Sequence, residues 1–221
     1  RNACEPDDGR IQGSLELKRI IKTVSSVRQG SVGEKLPYIT YEGEETPELV
    51  ISLIRFQNNS HPYLAFLYHE AKKADRILEL GIGPGRSTKA MLLGCKHGSS
   101  RLWSIDWGTD PSTHRAVWEI ERMGLAEYFN WIKQDAEKIP IKWYEQNKMD
   151  LIWIDIDNAD YPLVLSLCIA AMHQGSRLLL HNIHVGRGEK EAISKYASIP
   201  GFAYEEVNLG HGLGILTRIR D

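Results

Sequence analysis

The spacing of apolar positions changes character at about residue 75. Before that point apolar residues recur at helical intervals over 14–28 (SLELKRIIKTVSSVR), 46–57 (TPELVISLIRFQ) and 62–73 (PYLAFLYHEAKK), which predicts three amphipathic helices. Thr46 as N-cap, Pro47 at the first helical position and Glu48 in the first turn support the second. Residues 1–13 read as a frayed terminus, and Gly30, Gly33, Pro37 and Gly43 mark a turn-rich loop between the first two helices. After Asp75, short apolar runs alternate with helical patterns. Strands are expected over 76–80, 101–106, 129–134, 149–155, 176–181, 202–208 and 214–219, and helices over 86–94, 112–123, 138–146, 161–173 and 188–197. Such alternation implies βαβ crossovers and a largely parallel sheet. Only residues 209–213 separate the last two strands, too few for a crossover helix, so they should form an antiparallel hairpin. The expected architecture is a doubly wound, seven-stranded, mostly parallel α/β sheet closed by that hairpin. A helical N-terminal lid (1–74) precedes the main domain (75–221).

Composition narrows the classes. A chain of 221 residues with 42% hydrophobic content suits one α/β domain plus an added segment. Its formal net charge is −2, and no basic run is longer than the Lys72-Lys73 pair, so bulk electrostatics predict neither a nucleic-acid nor a membrane partner. No apolar run has membrane-spanning length and no signal-peptide pattern is visible. Cys4, Cys95 and Cys168 lack metal-type spacing, and the last two sit in apolar helical patterns. An odd count without a framework predicts a reducing, cytoplasmic setting.

The candidate chemistry begins at the first sheet strand. Ile77-Leu78-Glu79-Leu80 runs into Gly81-Ile82-Gly83-Pro84-Gly85-Arg86-Ser87-Thr88 and then a helix. Glycines at a strand-to-helix turn let the backbone bend sharply and approach a ligand, while N–H groups at the helix start favour a carboxylate or phosphate. The next strand ends at Asp106, placed to take both hydroxyls of a ribose or, alternatively, to serve as a loop or cap acid. Trp107 can stack on an adenine face or belong to the rim of the core. Asp135, followed by Ala136, ends the third strand and can accept from an adenine amino group, cap the next helix, or both.

These residues resemble class I S-adenosylmethionine-dependent methyltransferases over roughly 75–219. Glu79-Leu80-Gly81-Ile82-Gly83-Pro84-Gly85 is similar to the family's first motif, and Asp106 and Asp135 fall where its ribose and adenine contacts lie. The resemblance implies S-adenosylmethionine as cofactor, with Glu79, Gly81, Gly83, Gly85, Ser87, Asp106, Trp107, Asp135 and Ala136 around it. The stretch from Met149 to Tyr161, with Asp155, Asp157 and Asp160, resembles small-molecule O-methyltransferases of the catechol and caffeoyl-coenzyme A type, and bacterial enzymes that methylate macrolide sugars. In those relatives an acid at the position of Asp155 and a pair after the fifth strand hold a divalent cation; here that pair is His181-Asn182. The implied metal ligands are therefore Asp155, His181 and Asn182, with Mg²⁺ or another divalent cation. Two departures stand out. Asn158 occupies the place of a catalytic lysine, and His181 replaces a carboxylate, a harder ligand that Mg²⁺ prefers.

Methyl transfer to a hydroxyl requires alignment and loss of the acceptor's proton, to a cation-activated state or to a base. Asp155 and His181 are the expected catalytic residues. His184, His211 and His61 are weaker candidates, and Trp103, Trp131 and Trp153 read as core. The expected partner is a small-molecule acceptor such as a sugar or natural-product scaffold, with a homo-oligomer formed through the N-terminal helices. Two other readings stay open: a nicotinamide-dependent oxidoreductase, and a non-catalytic protein-binding module on the same fold. Against the first, the glycines run Gly-x-Gly-x-Gly rather than Gly-x-Gly-x-x-Gly.

Overall fold

The computed structural model describes residues 40–41, 44–45, 47, 49–50, 63–157, 159–185, 188–208 and 211–220. The helix expected over 14–28 and most of that over 46–57 lie outside these residues, as do Cys4, Thr46, His61 and Asn158. Leu49 and Val50 are helical, and Val50 is fully buried in the core. Thr40–Tyr41 and Glu44–Glu45 pair as a two-residue antiparallel ladder within the segment read as a turn-rich loop.

Helix α1 (Leu64–Lys73) leads into strand β1 (Arg76–Leu80), followed by α2 (Arg86–Gly98), β2 (Arg101–Asp106), α3 (Pro111–Arg122) and β3 (Phe129–Lys133). Then come α4 (Ile141–Gln146), β4 (Met149–Ile154), α5 (Tyr161–Ala171), β5 (Met172–His181), α6 (Glu189–Ala197), β6 (Phe202–Val207) and β7 (Leu213–Arg218). The sheet order is β3-β2-β1-β4-β5-β7-β6. Strands β1 to β5 are parallel, and β7 runs antiparallel to both β5 and β6. The short connection thus closes the hairpin that its length dictates. Chain order reverses between β1 and β4, so a crevice opens above their carboxyl ends, the place where ligands settle in such sheets.

Helices cover both faces, which is why β1 and β4 are nearly continuous apolar runs rather than alternating ones. One core layer joins α1, α2 and Ile120 of α3 to the sheet through Trp153, Leu179 and Ile215. The other packs α5 and α6 against Leu78, Ile152, Ile154 and Leu180. The α5 pattern breaks two residues earlier than expected: Met172 is already extended and pairs with Met149 across a register irregularity, lengthening β5 toward its amino end. Cys95 and Cys168 are buried free thiols, and burial pushes the Cys95 thiol up to about 12. No described helix is long and apolar enough to cross a membrane.

Helix α1 belongs to this core. Residues Leu64 to Ala71 are all buried, and Glu70 forms an ion pair with Arg177 of β5, whose guanidinium also lies over the Phe66 ring. Helix α2 admits α1 at close range because position 94 has no side chain: a Cβ there would sit 2.4 Å from the Tyr68 carbonyl oxygen and 2.8 Å from the Ala71 Cβ. Gly94→Val is therefore expected to force the helices apart and lower stability by about 1–3 kcal/mol or more, read as a shifted urea midpoint at unchanged slope. An unchanged midpoint would mean that the α1–α2 contact is loose.

Candidate active site

The turn between β1 and α2 is built on three left-handed glycines, Gly81 (φ +91°), Gly83 (φ +48°) and Gly85 (φ +70°). Two are fixed by their surroundings. A Cβ on Gly81 would lie 2.2 Å from the Asp155 carbonyl oxygen, and one on Gly85 would lie 2.5 Å from the Ala116 Cβ. Gly83 differs, because a Cβ there would meet nothing within 4 Å. The turn is thus packed below and open at its crest.

Asp106 shapes that crest. Its Oδ2 accepts from the Ile82 N–H (2.8 Å) and the Gly83 N–H (3.4 Å), while Oδ1 accepts from the Gly108 N–H (2.7 Å). The carboxylate expected at a ribose also ties the glycine turn to the loop after β2, a duty that spacing along the chain does not reveal. Trp107 follows it and is 55% exposed at the carboxyl ends of the strands, with the Lys138 ammonium 5.3 Å from its ring centre. Asp135 caps: its Oδ1 accepts from the Glu137 N–H (3.0 Å) at the start of the short turn Ala136–Lys138. Ala136 is buried, and its carbonyl accepts from the Tyr144 hydroxyl.

Glu79 and Ser87, both expected beside the cofactor, instead face each other in the interior beneath the turn. Glu79 is fully buried and accepts from the Ser87 hydroxyl (2.7 Å) and the Ser104 hydroxyl (2.6 Å), joining β1, β2 and the start of α2. Burial pushes its carboxyl up to about 7, against the opposing pull of those hydroxyls. A folded-state value above the ordinary 4.5 means that Glu79's contribution to stability is complete below about pH 4.5 and is lost as the pH rises through about 7. That loss is on the order of 3 kcal/mol. Glu79→Gln keeps an acceptor without the charge. The melting temperature of Glu79→Gln minus that of wild type should therefore climb between pH 4.5 and 7 and level off above. A difference independent of pH would show that Glu79 does not titrate in this range.

Beside the turn, the Asp155 N–H donates to the Leu80 carbonyl (3.0 Å), closing the end of β4 onto β1. At the end of neighbouring β5, His181 Nδ1 lies 3.0 Å from Asp155 Oδ1. A carboxylate only accepts, so the proton is assigned to Nδ1. The imidazole is 6% exposed and the carboxylate 31%. The second Asp155 oxygen takes no hydrogen bond from any described residue. His181 Nε2 is buried without a hydrogen-bond partner among the described residues. Its ring is walled by Tyr63, edge-on at 4.4 Å between centres, and by Trp153 at 5.4 Å. Tyr63, whose sequence pattern marks only the start of a helix, thus stands against the candidate catalytic pair. Burial and the Asp155 carboxylate drive its phenol far above the ordinary tyrosine range.

The remaining candidates disperse. Asp157 is exposed. His184 lies 3.7 Å from Glu206 and its ring rests on Gly212, while the His211 carbonyl accepts from the His184 N–H. Of the strand tryptophans, Trp153 is fully buried, whereas Trp103 and Trp131 are half-buried and lie under the cations of Arg76 and Lys133.

The donor set at Asp155, His181 and Asn182 does not suit a hard divalent cation. It offers one carboxylate, where Mg²⁺ and Ca²⁺ favour several oxygens. One imidazole nitrogen is engaged with that carboxylate, and the other is enclosed by aromatic rings. Asn182 is held in a left-handed turn (φ +62°) whose carbonyl accepts from the Val185 N–H. Among the described residues no group of three or more His, Cys, Asp or Glu side chains is gathered as a metal site requires.

Comparison with known proteins agrees with this fold. A family described as a methyltransferase domain matches residues 78–183, from the first strand past the His181-Asn182 pair. No curated protein sequence matches the chain. Among solved structures, the methyltransferase PaMTH1 of Podospora anserina, bound to S-adenosylhomocysteine, is 14% identical with a TM-score of 0.62, covering 99% of both chains. The O-methyltransferase TomG of Streptomyces achromogenes, in complex with S-adenosylmethionine, is 16% identical with a TM-score of 0.64, over 78% of this chain and 90% of that one. An O-methyltransferase of Bacillus cereus in complex with S-adenosylhomocysteine is 15% identical with a TM-score of 0.59, over 97% and 93%. At such identities the likeness is one of fold. Residues 78–183 match a methyltransferase-domain family, and the chain shares the seven-stranded Rossmann-like methyltransferase fold of these solved structures.

Proposed function

We propose that this chain transfers the methyl group of S-adenosylmethionine to a hydroxyl oxygen of a small molecule, without a divalent cation. The observation that carries this reading is the Asp155–His181 pair set directly against the glycine turn. The open crest at Gly83, the N–H groups at the start of α2, Asp106, Trp107 and the Asp135-Ala136 turn are the groups that would hold the cofactor. When bound, it supplies a methyl group on a positively charged sulfur, which needs little activation. The acceptor hydroxyl must shed its proton as the new C–O bond forms. Burial supports a division of roles. His181 is too enclosed to touch an acceptor, so its Nδ1–H orients the Asp155 carboxylate, and the free Asp155 oxygen takes the proton. Of the lid proposed over residues 1–74, the last helix, α1, packs in the core. Two buried free thiols support a reducing, cytoplasmic setting.

The test pairs binding with turnover. S-Adenosylhomocysteine at about 100 times its dissociation constant should stabilise the protein by roughly 2.7 kcal/mol, and NAD should not. Labelled methyl transfer to a panel of hydroxylated small molecules should proceed equally in chelator and in Mg²⁺. Stabilisation by NAD instead would favour an oxidoreductase, and activity that vanishes with chelator and returns with Mg²⁺ would overturn the cation-free mechanism.

A further inference from the structure

We infer that Tyr63, at the head of α1, is a positioning residue that holds the His181 imidazole in register with Asp155. The inference rests on the proposed role of that pair. Among the described residues a single hydrogen bond, Nδ1 to Asp155 Oδ1, is the only polar tether on the ring, since none of them partners Nε2. A ring tethered at one point can still turn over about its bond to Cβ, exchanging Nδ1 for a carbon and releasing the carboxylate. Packing must prevent that. Trp153 supplies a floor, tilted 33° to the imidazole, and its own indole is fully buried in β4 and cannot move aside. Tyr63 supplies the wall. Its ring meets the imidazole at 61° and also packs on Trp153 with centres 5.0 Å apart, so the three rings form one closed cluster.

Tyr63 is 3% exposed and precedes Leu64, the first residue of a helix anchored through Glu70 and Arg177. The wall is therefore fixed to the same sheet strand, β5, that carries His181. Edge-to-face aromatic contact has directional preference that an aliphatic side chain of similar volume lacks. The ring, rather than the hydroxyl, is the part that positions. A residue far from the glycine turn in sequence thus sets the orientation of the Asp155 oxygen offered to the acceptor.

The test uses the full chain labelled with ¹⁵N-histidine, with the His181 ring signals assigned by their loss in His181→Gln. Wild type should show a single pattern with the proton on Nδ1. Tyr63→Phe should reproduce it, whereas Tyr63→Leu should show exchange between two ring states or two tautomers. Stabilisation by S-adenosylhomocysteine should be the same in all three proteins, because the cofactor turn is untouched. With an accepted hydroxyl substrate, Tyr63→Leu should lower kcat about tenfold or more at unchanged KM for S-adenosylmethionine, and Tyr63→Phe should restore it. Wild-type His181 signals in Tyr63→Leu would overturn the inference. If the leucine variant fails to unfold cooperatively, Tyr63→Met, which fills the gap without a ring, is read in its place with the same two outcomes. Failure of the base assignment is separately visible: Asp155→Asn would then stay active while the His181 signals still followed Tyr63.

Discussion

Asp155→Asn is expected to lower turnover by about 10²–10⁴-fold while leaving affinity for S-adenosylhomocysteine unchanged. The amide oxygen of asparagine can still accept from His181 Nδ1, so the 3.0 Å contact and the ring cluster above it should survive. What disappears is the carboxylate charge and with it the capacity to take a proton on the second oxygen. His181→Gln should fall less steeply, because it removes the orienting donor but not the acceptor of the proton. The two losses should not add, since both act through one group. Initial rates with saturating cofactor, together with calorimetry for S-adenosylhomocysteine, measure both quantities. A fully active Asp155→Asn protein would remove the carboxylate from the mechanism, and a larger loss in His181→Gln would make the imidazole the base.

The second large effect is expected at the crest of the glycine turn. Gly83→Val should weaken S-adenosylhomocysteine binding by about a hundredfold or more, equivalent to ~2.7 kcal/mol, while the protein stays folded. A Cβ at position 83 would touch nothing in the protein, so no core contact is disturbed. The left-handed backbone (φ +48°) costs a branched residue about 1–2 kcal/mol, which a domain of this size can absorb. The space the side chain would enter is the space above the turn, where the N–H groups of Ile82 and Gly83 are held by Asp106. Gly81→Val is the contrasting case: its Cβ would strike the Asp155 backbone at 2.2 Å, so it should lose stability and binding together. Thermal unfolding with and without S-adenosylhomocysteine distinguishes the two variants. Normal binding by Gly83→Val would make the turn structural only.

Much of this protein was legible along the chain, because its signals are local. Glycines between an apolar strand and a helix fix a turn wherever the two are placed, so Gly81 to Gly85 could be found without knowing what packs beneath them. The five residues between the last two strands, 209–213, forbid a crossover, so the antiparallel pairing of β6 with β7 follows from chain length, whereas the placing of β7 beside β5 does not. Two buried cysteines at apolar helical positions were readable in the same way.

Tertiary structure decided the matters that depend on which side chain turns toward which. Glu79 sits in a motif that sequence reading assigns to the cofactor, yet β1 directs it inward to Ser87 and Ser104, because a strand buried on both faces leaves no solvent side for a carboxylate. Asp106 looks like a ribose ligand from spacing, and only the fold shows it also bracing the turn. His181 and Asp155 are 26 positions apart and meet because β4 and β5 are adjacent and in register. Which of the two reaches an acceptor follows from burial, which a pair of residue names does not contain. Tyr63 had no signature at all: an aromatic at the start of an apolar helix is ordinary, and its place against His181 arises only when α1 is packed across the sheet. Periodicity and turn chemistry are properties of short segments, whereas the orientation of a proton-accepting group is a property of everything packed around it.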